Sequence, residues 1–192
     1  MGRELEFKYA ATESAQAAIR ARYGNFREIR METTYYDTPQ GELAERKMTL
    51  RLRKENRVCV CTLKTPLGDG SRGEWECEAA DIIFGMGEVV RLGAPKELLQ
   101  LAGEGLVTVC GARFTRLAAE IPTADGIAEL ALDSGVLLGG GREIPLCEVE
   151  IELKAGSDAC VQVIAEQIAK EFSLQEEPRS KFHRALALAK GE

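Results

Sequence analysis

Six short segments of this 192-residue chain carry charge on one alternating phase: four at every second position, one as Thr62 and Lys64 flanking Leu63, and one as two acids four apart, Glu129 and Asp133. The first is Glu4-Leu5-Glu6-Phe7-Lys8. It is followed by Thr49-Leu-Arg-Leu-Arg-Lys54, Cys59-Val-Cys-Thr-Leu-Lys64, Glu74-Trp-Glu-Cys-Glu78, Glu129-Leu-Ala-Leu-Asp133 and Glu148-Val-Glu-Ile-Glu-Leu-Lys154. Strand side chains alternate sides, so each segment predicts a β-strand with one charged and one apolar face. One such strand is ordinarily a solvated edge of a sheet. Six of them, several purely acidic or purely basic, need another explanation, because like charges on one face repel unless a counter-ion lies between them. A barrel with a polar lining supplies it: charges point inward while Leu, Ile, Val, Phe and Trp pack outward beneath helices. Basic strands would then grip an anion, and acidic strands would hold metal ions that bridge to it.

Composition narrows the choice. With 45% hydrophobic residues, 192 positions suffice for one substantial core, and a single domain over 1–192 is expected. No stretch approaches the roughly 18 to 20 uninterrupted apolar residues of a membrane span, and the charged start lacks the apolar core of a secretory signal. A cytoplasmic protein without a membrane partner is therefore expected. Cysteines 59, 61, 77, 110, 147 and 160 form no C-x-x-C pair and read as packing residues in a reducing compartment. A net charge of −6 with no dominant basic stripe argues against nucleic acid as a partner.

Periodicity and punctuation give the layout. Strands are predicted over 3–9, 26–37, 48–54, 57–65, 72–79, 106–120, 127–133 and 147–154, with helices from Thr12 to Arg22, from Ser157 to Phe172 and from Ser180 to Ala189. Residues 80–103 read as a helical insert, with Pro95 in a first turn. Turns are expected at Asp37-Thr-Pro-Gln-Gly41, Pro66-Leu-Gly-Asp-Gly70, Asp125-Gly126 and Gly139-Gly140-Gly141. Hairpins interrupted by helices, rather than regular alternation, indicate α+β with an antiparallel barrel.

Motif chemistry excludes several classes. There is no G-x-x-x-x-G-K-[ST] loop and no G-x-G-x-x-G. His183 is the sole histidine, which removes histidine-rich metal centres and leaves oxygen ligands, hence Mg²⁺ or Mn²⁺. Other residues have plainer readings. Lys154 and Arg57 read as solvated strand ends, Glu45 and Glu78 as outside the lumen, and His183 as a helix-surface residue. Trp75, opposite in phase to Glu74 and Glu76, should pack beneath a helix, and at most one of Tyr35 and Tyr36 can reach the interior.

The ordered set of segments resembles the CYTH-domain family, also called triphosphate tunnel metalloenzymes. Glu4-x-Glu6-x-Lys8 is similar to its E-x-E-x-K signature. The likeness continues in Tyr35-Tyr-Asp-Thr-Pro39, Leu50-Arg-Leu-Arg53, Thr62-Leu-Lys64, Arg72-x-Glu-Trp-Glu76, Arg116, Glu129-x-Ala-x-Asp-x-Gly135, Glu148-Val-Glu-Ile-Glu152 and Ser180-Lys-x-x-Arg184. It covers nearly the whole chain, with the strongest likeness to bacterial inorganic triphosphatases.

The resemblance implies an eight-stranded antiparallel tunnel that binds a linear triphosphate and hydrolyses a phosphoanhydride with one or two divalent ions. Lys8, Arg51, Arg53, Lys64, Arg116, Lys181 and Arg184 would contact the phosphates. Glu4, Glu6, Glu150 and one or both of Glu148 and Glu152 would hold a first metal, with a second nearer Glu76 and Asp133 activating water. Glu4, Glu6, Lys64 and Asp133 are then the expected catalytic set. Tripolyphosphate is the expected substrate, and the protein is expected to be a monomer or homodimer. A class IV adenylate cyclase, a thiamine or nucleoside triphosphatase, or a non-catalytic polyphosphate-binding module are the alternatives on the same fold.

Overall fold

The alternating segments become strands of one antiparallel sheet in the computed structural model, which describes residues 2–3, 5–67 and 72–192. Glu4 lies outside the described residues, as does most of the turn expected at Pro66–Gly70. In chain order the elements are β1 (Gly2–Arg3), β2 (Glu6–Ala10), α1 (Glu13–Tyr23), β3 (Arg27–Asp37), α2 (Glu42–Glu45), β4 (Thr49–Glu55), β5 (Val58–Pro66) and β6 (Arg72–Glu78). There follow α3 (Ile82–Arg91), α4 (Glu97–Leu101), β7 (Val107–Thr123), β8 (Gly126–Gly139), β9 (Arg142–Gly156), α5 (Asp158–Glu171), β10 (Gln175–Glu176) and α6 (Lys181–Lys190).

The strand order is β1-β6-β5-β4-β3-β7-β8-β9-β2-β10. This corrects the expected closed, eight-stranded barrel. The sheet has ten strands, or nine if the two N-terminal pieces are counted as one, and its hydrogen-bonded order has two ends. Two causes are local. The N-terminal segment is divided, with Gly2–Arg3 pairing β6 and Glu6–Ala10 pairing β9, so one piece is a terminal strand and the next in chain lies near the other end of the order. Gln175–Glu176 adds a two-residue edge beyond β2.

Helices cover the apolar face in two blocks. Ile19 of α1 and Val161, Ala165 and Ile168 of α5 bury against Tyr9, Leu130, Leu132, Val149 and Ile151 of β2, β8 and β9. Each side chain of this size adds about 1.5–3 kcal/mol when fully buried. Thr12 starts α1 by accepting from the Ala15 amide at 3.2 Å, and Gly24, at φ +59°, ends it. Ile82, Met86 and Val89 of α3 and Leu98 of α4 cover Leu50, Leu63 and Trp75, so Trp75 does pack beneath a helix. Gly85 permits this contact: a Cβ there would lie 2.3 Å from the Cys61 Cβ.

The third block is different. Phe182 and Ala185 of α6 pack with Tyr35, Phe114, Leu137 and Leu146. Ser180 caps this helix by accepting from the His183 amide at 3.1 Å, and Gly139 lets the β8–β9 turn approach it, since a Cβ would meet the Ala185 carbonyl at 2.4 Å.

Several boundaries differ from the sequence expectation. Strands β8 and β9 run on to 14 and 15 residues, their ladder continuing from Gly135↔Leu146 through Leu137↔Ile144 to Gly139↔Arg142 with Leu137 and Leu146 buried, and Gly126 opens β8 instead of forming the turn. Helix α2 follows directly on the turn expected at residues 37–41. It is held by the buried Asp37 carboxylate, which accepts from the amides of Thr38, Leu43 and Ala44 at 2.7, 2.8 and 3.1 Å. Helix α4 begins two residues after Pro95. No helix among the described residues is long and apolar enough to cross a membrane.

Candidate functional site: a cavity lined by opposed charges

One face of the sheet, from β2 round to β6, borders a cavity of about 490 Å³ whose lining also includes Ser180, Lys181 and Phe182 at the start of α6. Strand parity explains the lining. Glu6 and Lys8 on β2, Arg51 and Arg53 on β4, Lys64 on β5 and Glu74 and Glu76 on β6 all point inward in step with their charged phase. Strand β3 contributes Ile29, Met31, Thr33 and Tyr35 instead, so the wall is not wholly polar. Of the two adjacent tyrosines, Tyr35 faces the cavity and Tyr36 packs on the α3 side.

Strands β2, β9 and β8 form the acidic wall. Register pairs Glu6 with Glu152 and Lys8 with Glu150 across β2 and β9, and Glu129 with Glu152 and Asp133 with Glu148 across β8 and β9. Asp133, Glu148 and Glu150 are the one group of acids among the described residues spaced to share a metal ion, each offering an oxygen within 4.8 Å of the others. Three cations meet them. Arg116, opposite Asp133 on β7, donates to both Asp133 oxygens at 2.8 and 2.7 Å and also to Glu150. Lys181 lies 2.9 Å from Asp133, 2.6 Å from Glu148 and 2.5 Å from Glu150, and Arg184 donates to Glu148.

The electrostatics follow from this pairing. Burial alone would raise the Glu150 carboxyl pKa, but Lys181 and Arg116 overturn it and hold the group well below the ordinary carboxylate range. Burial alone would lower the Lys181 ammonium, and Asp133, Glu150 and Glu148 reverse that, raising it above its ordinary value. Behind the wall, the buried amide of Gln16 on α1 donates to the main-chain carbonyls of Asp133 and Glu148 at 3.0 and 2.8 Å, fixing the ladder from its other face.

The opposite wall, β4 to β6, sets Arg51, Arg53 and Lys64 among Glu55, Glu74 and Glu76. Arg51 and Lys64 lie 4.0 and 3.5 Å from the same Glu74 oxygen. Arg53 donates through Nε to Glu55 at 2.6 Å, and burial together with the neighbouring Arg51 lowers its pKa. Glu76 accepts from Thr62 at 3.1 Å.

Most of the residues expected at the site therefore gather at one cavity, with four departures. Glu76 and Asp133 were expected near one ion, yet they sit on β6 and β8, far apart in the strand order, and Glu76 is not in the acid group around Asp133. Asp133 and Glu148 are fully buried behind the lining, locked by cations. Arg184 is likewise absent from the lining and is held by Glu148 and by Glu177 at 3.7 Å. Lys154, read as a solvated strand end, stands at the rim instead, 2.8 Å from Glu152 and 3.7 Å from Glu129. Its phase with Glu148, Glu150 and Glu152 was the available signal.

Arg27, Glu55, Arg72, Glu74 and Glu129 also line the cavity and were not assigned to it. Glu74 and Glu129 carry the same parity signal. Arg27 carries none, because its phase on β3 is apolar; its partner is Glu129 at 2.8 Å. His183 lies exposed on α6, its ring Nδ1 2.9 Å from the Ser180 hydroxyl.

Comparison with known proteins agrees with this geometry. An inorganic triphosphatase of Haemophilus influenzae is 33% identical over 128 residues, 65% of this chain; the match spans only 36% of that relative's length. The fold is shared with a putative adenylate cyclase of Bacillus halodurans, TM-score 0.65 at 22% identity, covering 96% of this chain and 98% of the other. It is shared equally with a putative adenylyl cyclase of Hippeastrum described as having a dominant triphosphatase activity, TM-score 0.65 at 22% identity over 98% and 96% of the two chains. The profile of the CYTH domain matches residues 2–186, nearly the whole sequence, and the chain belongs to that family.

Proposed function

We propose that this protein is a metal-dependent triphosphatase that binds linear tripolyphosphate in the charged cavity and hydrolyses it to pyrophosphate and phosphate. The observation that carries the reading is the convergence of Lys8, Arg51, Arg53, Lys64, Arg72 and Lys181 from four strands and a helix on one cavity. Tripolyphosphate bears about four to five negative charges at neutral pH, and removing it from water requires cations on several sides. Arg51 and Arg53 can make bidentate contacts to phosphate oxygens, while Lys8 and Lys64 act as point charges.

The family is metal-dependent, and the carboxylates present suit that requirement. Glu6, Glu150 and Glu152, with Glu4 from the same segment, would hold one divalent ion; Asp133, Glu148 and Glu150 would hold a second. Oxygen-only donors fit Mg²⁺ or Mn²⁺. When bound, such ions supply Lewis-acid charge against phosphate oxygens and a more acidic water. The chain's own cations orient the phosphates, hold the leaving pyrophosphate and exclude bulk water, so that attack on the terminal phosphorus is in line.

One observation favours a second reading, an organic triphosphate. A neighbouring groove of about 530 Å³ shares Thr49 and Phe182 with the cavity and is lined by Met48, Val107, Val109 and Leu186, surfaces suited to an apolar or aromatic group. Phosphate release from tripolyphosphate, ATP, thiamine triphosphate and pyrophosphate, with Mg²⁺ or Mn²⁺ and with chelator, separates these. Turnover of tripolyphosphate that stops with chelator, and is abolished in Glu6→Gln with the thermal midpoint nearly unchanged, is expected. Cyclic AMP from ATP, or tight binding with no turnover of any substrate, would refute it.

A further inference from the structure

The acid triad and the first residue of α6 make an arrangement that hydrolysis alone does not explain. The Lys181 ammonium is in close contact with one oxygen from each of Asp133, Glu148 and Glu150, at 2.9, 2.6 and 2.5 Å. These three carboxylates are also the group spaced to share a metal ion. The ammonium therefore stands at the point where an ion held by the triad would stand. With Arg116 and Arg184, it supplies three positive charges against three negative ones, in a nest where no side chain is more than 13% exposed. A divalent ion and an ammonium cannot share that point, because their repulsion is strong wherever water is excluded. Lys181 has somewhere to go: it already borders the cavity, on the side opposite Arg51 and Lys64.

We propose that Lys181 is an internal counter-cation that closes the Asp133–Glu148–Glu150 triad in the metal-free protein, and that a divalent ion taking the triad displaces its ammonium into the cavity. The metal then controls when this lysine is available to a phosphate. Arg184, bound to Glu148 one turn further along, keeps α6 attached while Lys181 swings away. The inference rests on the triad taking a metal, and it extends that reading by naming what must leave.

Isothermal titration with Mn²⁺ alone, without any phosphate substrate, tests the exchange independently of turnover. Removing the competing charge in Lys181→Met should tighten Mn²⁺ binding at least tenfold over wild type, and Asp133→Asn added to Lys181→Met should remove the gain. Equal Mn²⁺ affinity in Lys181→Met and wild type, or a gain that survives Asp133→Asn, would overturn the exchange. Wild-type protein provides a second measurement should Lys181→Met fold poorly. The Lys181 side-chain amine should become more reactive toward an amine-acetylating reagent when Mn²⁺ is added, read by peptide mass spectrometry, and unchanged reactivity at saturating Mn²⁺ would overturn the proposal. A hydrolase reading that fails would show in the phosphate-release assay instead, leaving these binding results intact.

Discussion

The two walls of the cavity use the same residue types for different purposes. On β8 and β9, Asp133, Glu148 and Glu150 meet Arg116, Lys181 and Arg184 at short range, 2.5 to 2.9 Å for most contacts, with both Asp133 and Glu148 fully buried. On β4 to β6, Arg51 and Lys64 stand 4.0 and 3.5 Å from one Glu74 oxygen, with their side chains 15% and 19% exposed. Saturated pairs spend their field on each other and hold elements together. Longer pairs between partly exposed side chains are weaker and more readily exchanged. The acidic wall thus ties α6 to the sheet through short, buried ion pairs, whereas the pairs of Arg51 and Lys64 with Glu74 are longer and less buried.

The largest effect expected from this contrast is on stability. Asp133→Asn leaves Arg116 and Lys181 buried without their full counter-charge and should cost about 3–5 kcal/mol in a urea unfolding experiment. A loss under 1 kcal/mol would show that the acidic wall is not a structural network. Next is Arg51→Ala, which should lower tripolyphosphate turnover by about a hundredfold while moving the thermal midpoint little. A comparable loss of stability would erase the difference between the walls. The smallest is Ser180→Ala, which removes the cap of α6 and should cost about 1 kcal/mol, measured by the same unfolding experiment. It would also weaken the docking of Lys181 without touching a carboxylate.

How much was legible beforehand depended on how each side chain signals its side. Charge phase on β2, β4, β6 and β9 located Glu6, Lys8, Arg51, Arg53, Glu76 and Glu150 at the cavity, because parity is a local property of a strand. The same logic misleads on β3. Glu28, Arg30 and Glu32 alternate as cleanly as Glu4, Glu6 and Lys8, yet all three are exposed, and it is Ile29 and Met31 that line the cavity. Arg27 joined the site through an apolar phase. Burial separated Asp133 and Glu148 from the lining, and nothing in their spacing foretold that Lys181, 33 or more residues away along the chain, would sit between them.

The sequence by itself determined most of the strands and their two-residue alternation, the caps of α1 and α6 and the family. These rest on interactions within a few residues: side-chain alternation, turn chemistry and local hydrogen bonds to amides. Only the tertiary structure decided which face of β3 turns inward, that the two pieces of one N-terminal segment pair with β6 and β9 far apart in the sheet order, and that three acids would be answered by three cations from β7 and α6. Those outcomes depend on pairing between distant strands and on which apolar faces the helices cover, and alternation with a period of two is the same seen from either side.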